Sequence, residues 1–133
     1  MVDPLRRVIM KSPVTAWKNT NNVKKYWKDL NFISQPKFDK SVFQFNQLTS
    51  LIESFGTEIL MLPKNDETNL DSIYTHDAGI ATSEGIIICN MGKKIRKNEP
   101  MALKNFLIEN NLPIVGEIKD PGIIEGGDII WIN

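Results

Sequence analysis

Two acidic stretches of the sequence carry side chains that could bind a cation. In the first, Asp71 precedes the only histidine, His76, and Asp77 follows that histidine directly. In the second, Glu125 and Asp128 flank a Gly-Gly pair. Residues typical of a strand follow each stretch, and a carboxylate at the end of such a strand is costly to bury unless a partner cancels its charge. The two stretches therefore predict a site built for a cation.

The clearest predicted helix covers residues 41–55. Phe45 and other apolar residues repeat there at helical spacing and give the helix one apolar face. Ser41 with Gln44 three residues later could form a capping box at its start. Gly56 supplies a stop at its end.

Short apolar runs predict the strands that position the acidic stretches. These runs are residues 7–11, 58–62, 78–81, 85–91, 113–118 and 123–132. A second helix is predicted to begin at Asn98, with Pro100 in its first turn, and to end near Asn110. A basic loop at residues 91–97 precedes this helix and contains Arg96.

Residues 14–40 show no clean period, and their large aromatic side chains are scattered among asparagine and lysine. We expect a long loop with a short helix near residues 23–30. Long loops in compact domains often carry function, whereas aromatic side chains also serve to cover a core. Both interpretations remain open from the sequence.

Composition limits the class of protein. The 133 residues suit one domain, and contents of 41% hydrophobic and 24% charged residues are ordinary for a globular protein. Sixteen basic and sixteen acidic residues cancel, so no net charge favours nucleic acid or a membrane surface. A single cysteine excludes an internal disulfide, and the sequence has neither a signal peptide nor a run of about 20 apolar residues. We expect a cytoplasmic protein.

One order of elements occurs twice. Strand, helix, strand, acidic turn and strand describe residues 7–82, and the same order describes residues 85–132. Units of this kind bury their apolar faces against neighbouring units. Two units leave an open edge, and residues 129–133 resemble a core strand without a closing element. We therefore expect a single partial domain over residues 1–133.

Three motifs resemble those of the guanidine-modifying enzymes in order and spacing. They are Leu-Asp-Ser-Ile-Tyr-Thr-His-Asp-Ala at residues 70–78, Met-Gly-Lys-Lys-Ile-Arg-Lys-Asn-Glu at 91–99, and Pro-Gly-Ile-Ile-Glu-Gly-Gly-Asp at 121–128. The chain is most similar to the dimethylarginine dimethylaminohydrolase branch of that superfamily. The resemblance implies the pentein fold, an α/β propeller of five ββαβ-type pseudo-repeats around a central active site. This chain would supply its N-terminal portion, about two of the five blades.

The resemblance also implies roles for individual residues. The implied substrate-binding set is Asp71, His76, Asp77, Arg96 and Asp128. Within it, Asp71 and Asp77 would grip a guanidinium, Arg96 would bind the substrate α-carboxylate, and His76 stands where several relatives carry Glu or Arg. Glu125 would be the catalytic acid that orients the histidine or the guanidinium. The family's nucleophilic cysteine and general-acid histidine come from later blades.

The partners implied by the resemblance are few. The ligand would be a small guanidino substrate, held without a cofactor or a metal ion and without nucleic acid or membrane. The sequence does not fix the oligomeric state, and a homodimer is one assembly that it allows.

Each candidate residue also has a structural interpretation. Asp71 and Asp128 could start a turn or cap a strand, and Asp77 could form an ion pair with the neighbouring His76. Arg96 could be one more solvated member of its basic loop. The Glu-Gly-Gly-Asp sequence could be a bulged turn.

Three functions remain open. The chain could belong to a guanidine hydrolase that acts through a covalent cysteine adduct, or to a related amidinotransferase or arginine deiminase. It could instead be a non-catalytic module that binds arginine-like cations, or a small metal-binding α/β domain. Cys89 is expected to behave as a small buried hydrophobe, because nothing nearby would lower its pKa. We therefore expect no turnover from the 133 residues alone.

Overall fold

The computed structural model describes residues 4–132. These residues contain five short strands, four α-helices and four 3-10 helices. Residues 1–3 lie outside this range, as does Asn133, the end of the predicted strand at 129–133. The described residues divide into two compact units, residues 4–73 and residues 74–132. No helix in the described range is long and apolar enough to cross a membrane. The prediction of a single domain stays a prediction.

The first unit contains a pair of parallel strands. Strand β1 (Arg7–Met10) pairs with β2 (Glu58–Met61), with Arg7 opposite Glu58 and Met10 opposite Met61. Parallel neighbours need a long crossover connection, and helices usually provide it. Here the crossover contains α1 (Pro13–Ala16), α2 (Thr20–Tyr26) and α3 (Phe38–Ser54).

The predicted loop at residues 14–40 contains two short helices. The side chain of Ser12 accepts the backbone N–H of Val14 at the start of α1, and Asn19 accepts that of Asn22 at the start of α2. Such caps satisfy donors that a helix start leaves unpaired. The prediction of a short helix near residues 23–30 is confirmed in part by α2, which begins three residues earlier and ends at Tyr26. Helix α1 was missed, because four residues are too few to show a period.

The aromatic side chains of this segment cover a core. The buried members of this cluster are Ala16, Trp17, Val23, Leu30 and Leu70. The indole N–H of Trp17 donates to the carbonyl of Leu70 at 3.1 Å, and its ring meets Phe32 edge-on. The sequence left open whether these aromatic side chains serve a functional loop or cover a core, and the structure shows that they cover a core.

Helix α3 begins one turn earlier than predicted. Its first residue is Phe38, which packs against the cluster just described, and Lys37 precedes it without a side-chain cap. Ser41 thus lies inside the helix, where its N–H donates to the carbonyl of Lys37 at 3.0 Å. The predicted capping box of Ser41 with Gln44 is wrong, because the helix begins one turn earlier, at the partly buried Phe38.

The described part of the second unit contains a three-stranded sheet, one α-helix and three 3-10 helices. Strand β3 (Gly79–Ala81) runs antiparallel to β4 (Ile86–Ile88), which runs parallel to β5 (Ile114–Glu117). Helix α4 (Glu99–Glu109) connects β4 to β5 and buries one face. The buried apolar side chains of the unit are Ala78, Ile80, Ile88, Cys89, Met91, Leu103, Phe106 and Leu107.

Two predictions about this region are wrong. Residues 129–132 form no strand, and Ile130, Trp131 and Ile132 are exposed. An apolar run becomes a strand only when a neighbouring backbone pairs with it, and residues 4–132 provide none. The first acidic stretch also leads into a strand of the second sheet, so β3 does not close the predicted repeat at residues 7–82.

Candidate functional site

Asp77 lies on a 3-10 helix, Thr75–Ala78, directly before β3. Its backbone N–H donates to the carbonyl of Tyr74 at 3.1 Å, which fixes the turn. The carboxylate is about one-fifth exposed, at 22%, and its Oδ2 accepts from Arg96 Nη1 at 2.9 Å. The carboxylate of Asp77 is therefore bonded to the buried Arg96 on one side and partly exposed to solvent on the other.

Arg96 is the internal cation of this site. It ends the 3-10 helix Lys94–Arg96, and only 5% of its side chain is exposed. Its Nε donates to Glu99 Oε1 at 2.9 Å and its Nη2 donates to Glu99 Oε2 at 2.7 Å. A fourth carboxylate oxygen, Glu125 Oε2, lies 3.9 Å from Nη1. The interpretation of Arg96 as a solvated loop residue is wrong, because these carboxylates bury it.

Glu125 and Asp128 shape the second acidic stretch. Glu125 precedes the 3-10 helix Gly126–Asp128, and its backbone N–H donates to Asp128 Oδ2 at 3.0 Å. The two residues form a reciprocal capping box, so Asp128 caps its own turn. Glu125 Oε1 also accepts the backbone N–H of Gly92 at 3.1 Å, and 27% of its side chain is exposed.

A close backbone contact joins the two acidic stretches. Gly126 is buried against the main chain of the first stretch, and a Cβ at this position would overlap the carbonyl oxygen of His76. A Cβ at Gly127 would lie 3.3 Å from Asp77 Oδ1. The absence of a side chain at Gly126 is thus required for Glu125 and Asp77 to lie near the same guanidinium.

Charge in the site is negative. Burial opposes the ionised form of Arg96, but hydrogen bonds and charge from Glu99 and then Asp77 outweigh it and raise the pKa of the guanidinium. Arg96 therefore stays charged, and one positive charge faces three carboxylates. Glu99 accepts both N–H bonds on one edge of the guanidinium, while the carboxylates of Asp77 and Glu125 remain partly exposed, which suits a cationic guest.

His76 and Asp71 complete the predicted set. His76 is exposed, and the ion partner of Asp77 is Arg96. Asp71 is buried on the 3-10 helix Leu70–Ile73 of the first unit. Its convergence with Asp77 and Glu125 concerns both units and stays a prediction. Among residues 4–132, no three side chains of the His, Cys, Asp and Glu types are grouped so that they could hold a metal ion.

Glu99 was not predicted as a site residue. In the sequence it resembles an acid that merely favours the start of a helix, which is a common feature. A usable signal was the spacing of Arg96 and Glu99, since residues three apart on one helical turn are neighbours. Its burial beside Arg96 could be known only from the packing of α4.

Cys89 is buried, as predicted, and directly follows β4. Burial, followed by the charges of Asp77, Glu125 and Asp128, raises the pKa of its thiol to about 11. The thiolate is the nucleophilic form, and at neutral pH almost none is present at such a pKa.

This state of Cys89 can be tested by alkylation with iodoacetamide at pH 8. We expect the native chain to react about 100-fold more slowly than the chain in concentrated urea, because a thiol with a pKa near 11 has about a hundredth of the thiolate of an ordinary one. Mass spectrometry after timed quenching measures both rates. Equal rates in the two conditions would contradict a buried, protonated thiol.

Comparison with known proteins gives consistent matches. Residues 12–130 match the family model described as N,N dimethylarginine dimethylhydrolase, eukaryotic. N(G),N(G)-dimethylarginine dimethylaminohydrolase from Pseudomonas aeruginosa is 27% identical over 101 residues, which are 76% of this chain and 39% of that protein. The chain therefore spans less than half the length of this relative.

Solved structures show the same fold. A Pseudomonas aeruginosa dimethylarginine dimethylaminohydrolase complexed with citrulline is 20% identical, with a TM-score of 0.74 over 98% of this chain and 48% of that one. The N-terminal domain of a cyanobacterial arginine dihydrolase bound to its substrate is also 20% identical, with a TM-score of 0.70 over 90% of this chain and 42% of that one. At this identity the likeness concerns the fold alone.

Proposed function

The chain belongs to the N,N-dimethylarginine dimethylhydrolase family, and from that premise we propose that it is the guanidinium-holding part of an enzyme that hydrolyses arginine-type guanidino compounds. The observation that carries the proposal is the arrangement around Arg96. Asp77 lies 2.9 Å and Glu125 3.9 Å from one edge of that guanidinium, and both carboxylates remain partly exposed. They are thus placed around one guanidinium and can accept from a second.

The chemistry of the guest agrees with these acceptors. A guanidinium is planar, permanently charged and surrounded by N–H donors, so oxygen acceptors at fixed angles satisfy it best. Charge-assisted bonds of this kind are about twice as strong as neutral ones. We assign Asp77 and Glu125 to hold the guest. Exposed His76, next to Asp77, would influence which substituents on the guanidinium are accepted.

We place the nucleophile outside these 133 residues. In the proposed reaction a cysteine thiolate attacks the guanidinium carbon, a histidine protonates the departing amine, and water then cleaves the carbon–sulfur bond to release a ureido product and the thiol. Cys89 does not suit the first step, because it is buried and the pKa of its thiol is about 11. Glu125 would orient the histidine or the guanidinium, as the third group of such constellations does.

Arg96 has an internal role in this proposal. The family resemblance would have it bind the α-carboxylate of the substrate, but only 5% of its side chain is exposed. Three of its nitrogens already contact Glu99 and Asp77. We propose that it is the counter-ion that fixes Asp77. An arriving carboxylate would have to take over one of these bonds.

Binding of a minimal guest tests the function. N-propylguanidinium and N-propylurea have similar shape, but only the first is a cation. We expect isothermal titration of the full chain to show at least about tenfold tighter binding of the guanidinium, since one charge-assisted hydrogen bond contributes about 1.5–3 kcal/mol. Asp77→Asn should weaken that binding at least tenfold. Dimethylarginine should bind to the chain without being hydrolysed.

The matched control for this experiment is Asp66→Asn. Asp66 is also an acid paired with basic side chains, Lys18 and Lys64, but it is exposed and lies in the first unit. Its replacement should leave the affinity unchanged. Equal affinity for the urea and the guanidinium would refute the proposal, and so would hydrolysis of dimethylarginine by this chain that Cys89→Ala abolishes.

A further inference from the structure

The pair formed by Arg96 and Glu99 is buried on a rigid element. Their side chains are 5% and 4% exposed. Glu99 is the first residue of α4, and the helix behind it is anchored by the buried side chains of Pro100, Leu103 and Leu107. The carboxylate of Glu99 is therefore held by the packing of a helix and not by a loop.

The geometry of the pair determines where the rest of the guanidinium points. Glu99 accepts from Nε and Nη2 with separate oxygens, at 2.9 and 2.7 Å. Two parallel bonds of this kind fix both the plane and the rotation of a guanidinium. The two N–H bonds of the remaining nitrogen, Nη1, then have fixed directions in that plane, and Nη1 donates to Asp77 Oδ2 at 2.9 Å.

We propose that Glu99 is a positioning residue, which holds the guanidinium of Arg96 so that Arg96 in turn fixes the carboxylate of Asp77. Asp77 keeps its other oxygen for a guest. The claim that this guest is a guanidinium rests on the proposed function, whereas the orientation of Asp77 does not. Glu99 touches no guest and acts on Asp77 through Arg96.

A purely structural role explains the arrangement less well. A buried ion pair contributes little net stability, and apolar side chains of similar volume often replace one without loss. The hydrogen bonds of Arg96 also extend beyond the buried pair. Its third bond reaches the partly exposed Asp77, at the point where the two acidic stretches meet, and a pair that only filled the core would have no need of that bond.

The orientation of Asp77 can be measured without any guest. In isotopically labelled chain, three-bond couplings report whether the Asp77 side chain occupies one rotamer or averages over several. We expect one rotamer in the unchanged chain and averaging in Glu99→Gln, because an amide has one acceptor oxygen and cannot accept both N–H bonds that Glu99 accepts. Glu99→Asp keeps the charge and should restore part of the order. Binding of N-propylguanidinium should weaken about tenfold in Glu99→Gln.

Glu117→Gln is the matched control. Glu117 is another glutamate of the second unit with a basic partner, Lys104 Nζ at 2.8 Å, and its replacement should leave the Asp77 rotamer and the guest affinity unchanged. Because Glu99→Gln could fail to fold, the double variant Arg96→Met with Glu99→Met removes both buried charges together. This variant should fold, and its Asp77 should average over rotamers.

A double-mutant cycle separates positioning from a general loss of structure. Once Asp77 is replaced by Asn, adding Glu99→Gln should weaken guest binding no further, since the residue through which Glu99 acts is gone. A single Asp77 rotamer in Glu99→Gln or in the double methionine variant overturns the proposal. If Asp77 averages as expected while the unchanged chain binds no guanidinium, the positioning role stands and the proposed function fails.

Discussion

Replacing Arg96 by methionine is expected to lower the free energy of unfolding by about 3–5 kcal/mol, the range found when one partner of a buried ion pair is removed. The cause is the carboxylate of Glu99, which is 4% exposed and would lose both of its guanidinium bonds. Asp77 would lose its donor as well. Methionine fills a similar volume without adding a polar group. Urea unfolding followed by circular dichroism measures the loss.

The control for this variant is Arg7→Met. Arg7 also bonds a glutamate, Glu58, at 2.6 Å across the β1–β2 pair, but the two side chains are 51% and 53% exposed. Exposed pairs contribute about 1 kcal/mol or less, so this change should be small. Adding Glu99→Met to Arg96→Met should recover most of the stability. Equal losses for Arg96→Met and Arg7→Met would contradict the burial of the pair.

The strands of this protein could be predicted because their signal is local. Apolar runs such as residues 58–62 and 113–118 lie over β2 and β5, and the predicted ends of these two strands differ from the observed ends by at most one residue. Whether a strand finds a partner is not determined by its local sequence. Residues 129–132 have the same apolar pattern, yet they form no strand, since a strand also needs a partner backbone.

Only part of the candidate site has a local signal of this kind. Acids next to glycine and a strand were visible, and the structure brings Asp77 and Glu125 to one guanidinium. The partner of Asp77 was not visible, because His76 is adjacent in sequence while Arg96 lies nineteen residues away. Burial of Glu99 depends on how α4 packs, which no short pattern encodes. The close contact of Gly126 with the backbone of His76 also could not be predicted, because the two residues are far apart in the sequence.

Gly126→Ala is the second change with a large expected effect. A methyl group at this position would overlap the carbonyl oxygen of His76 and lie 3.1 Å from that of Gly79, and neither backbone atom can rotate away as a side chain could. The 3-10 helix Gly126–Asp128 would have to move from the first acidic stretch. We expect a loss of about 2–3 kcal/mol, at the upper end for overpacking.

Gly126→Ala should also weaken guest binding in the folded protein, whereas an ordinary core mutation would lower only the stability. Displacing residue 126 carries Glu125 away from Arg96 and Asp77, so we expect N-propylguanidinium binding to weaken more than tenfold even at temperatures where the variant is fully folded. Gly116→Ala is the control, because its methyl group would meet Ile87 at 3.7 Å, an ordinary contact. If Gly126→Ala bound the guest as tightly as Gly116→Ala, the glycine would serve the packing of the chain and not the geometry of its acids.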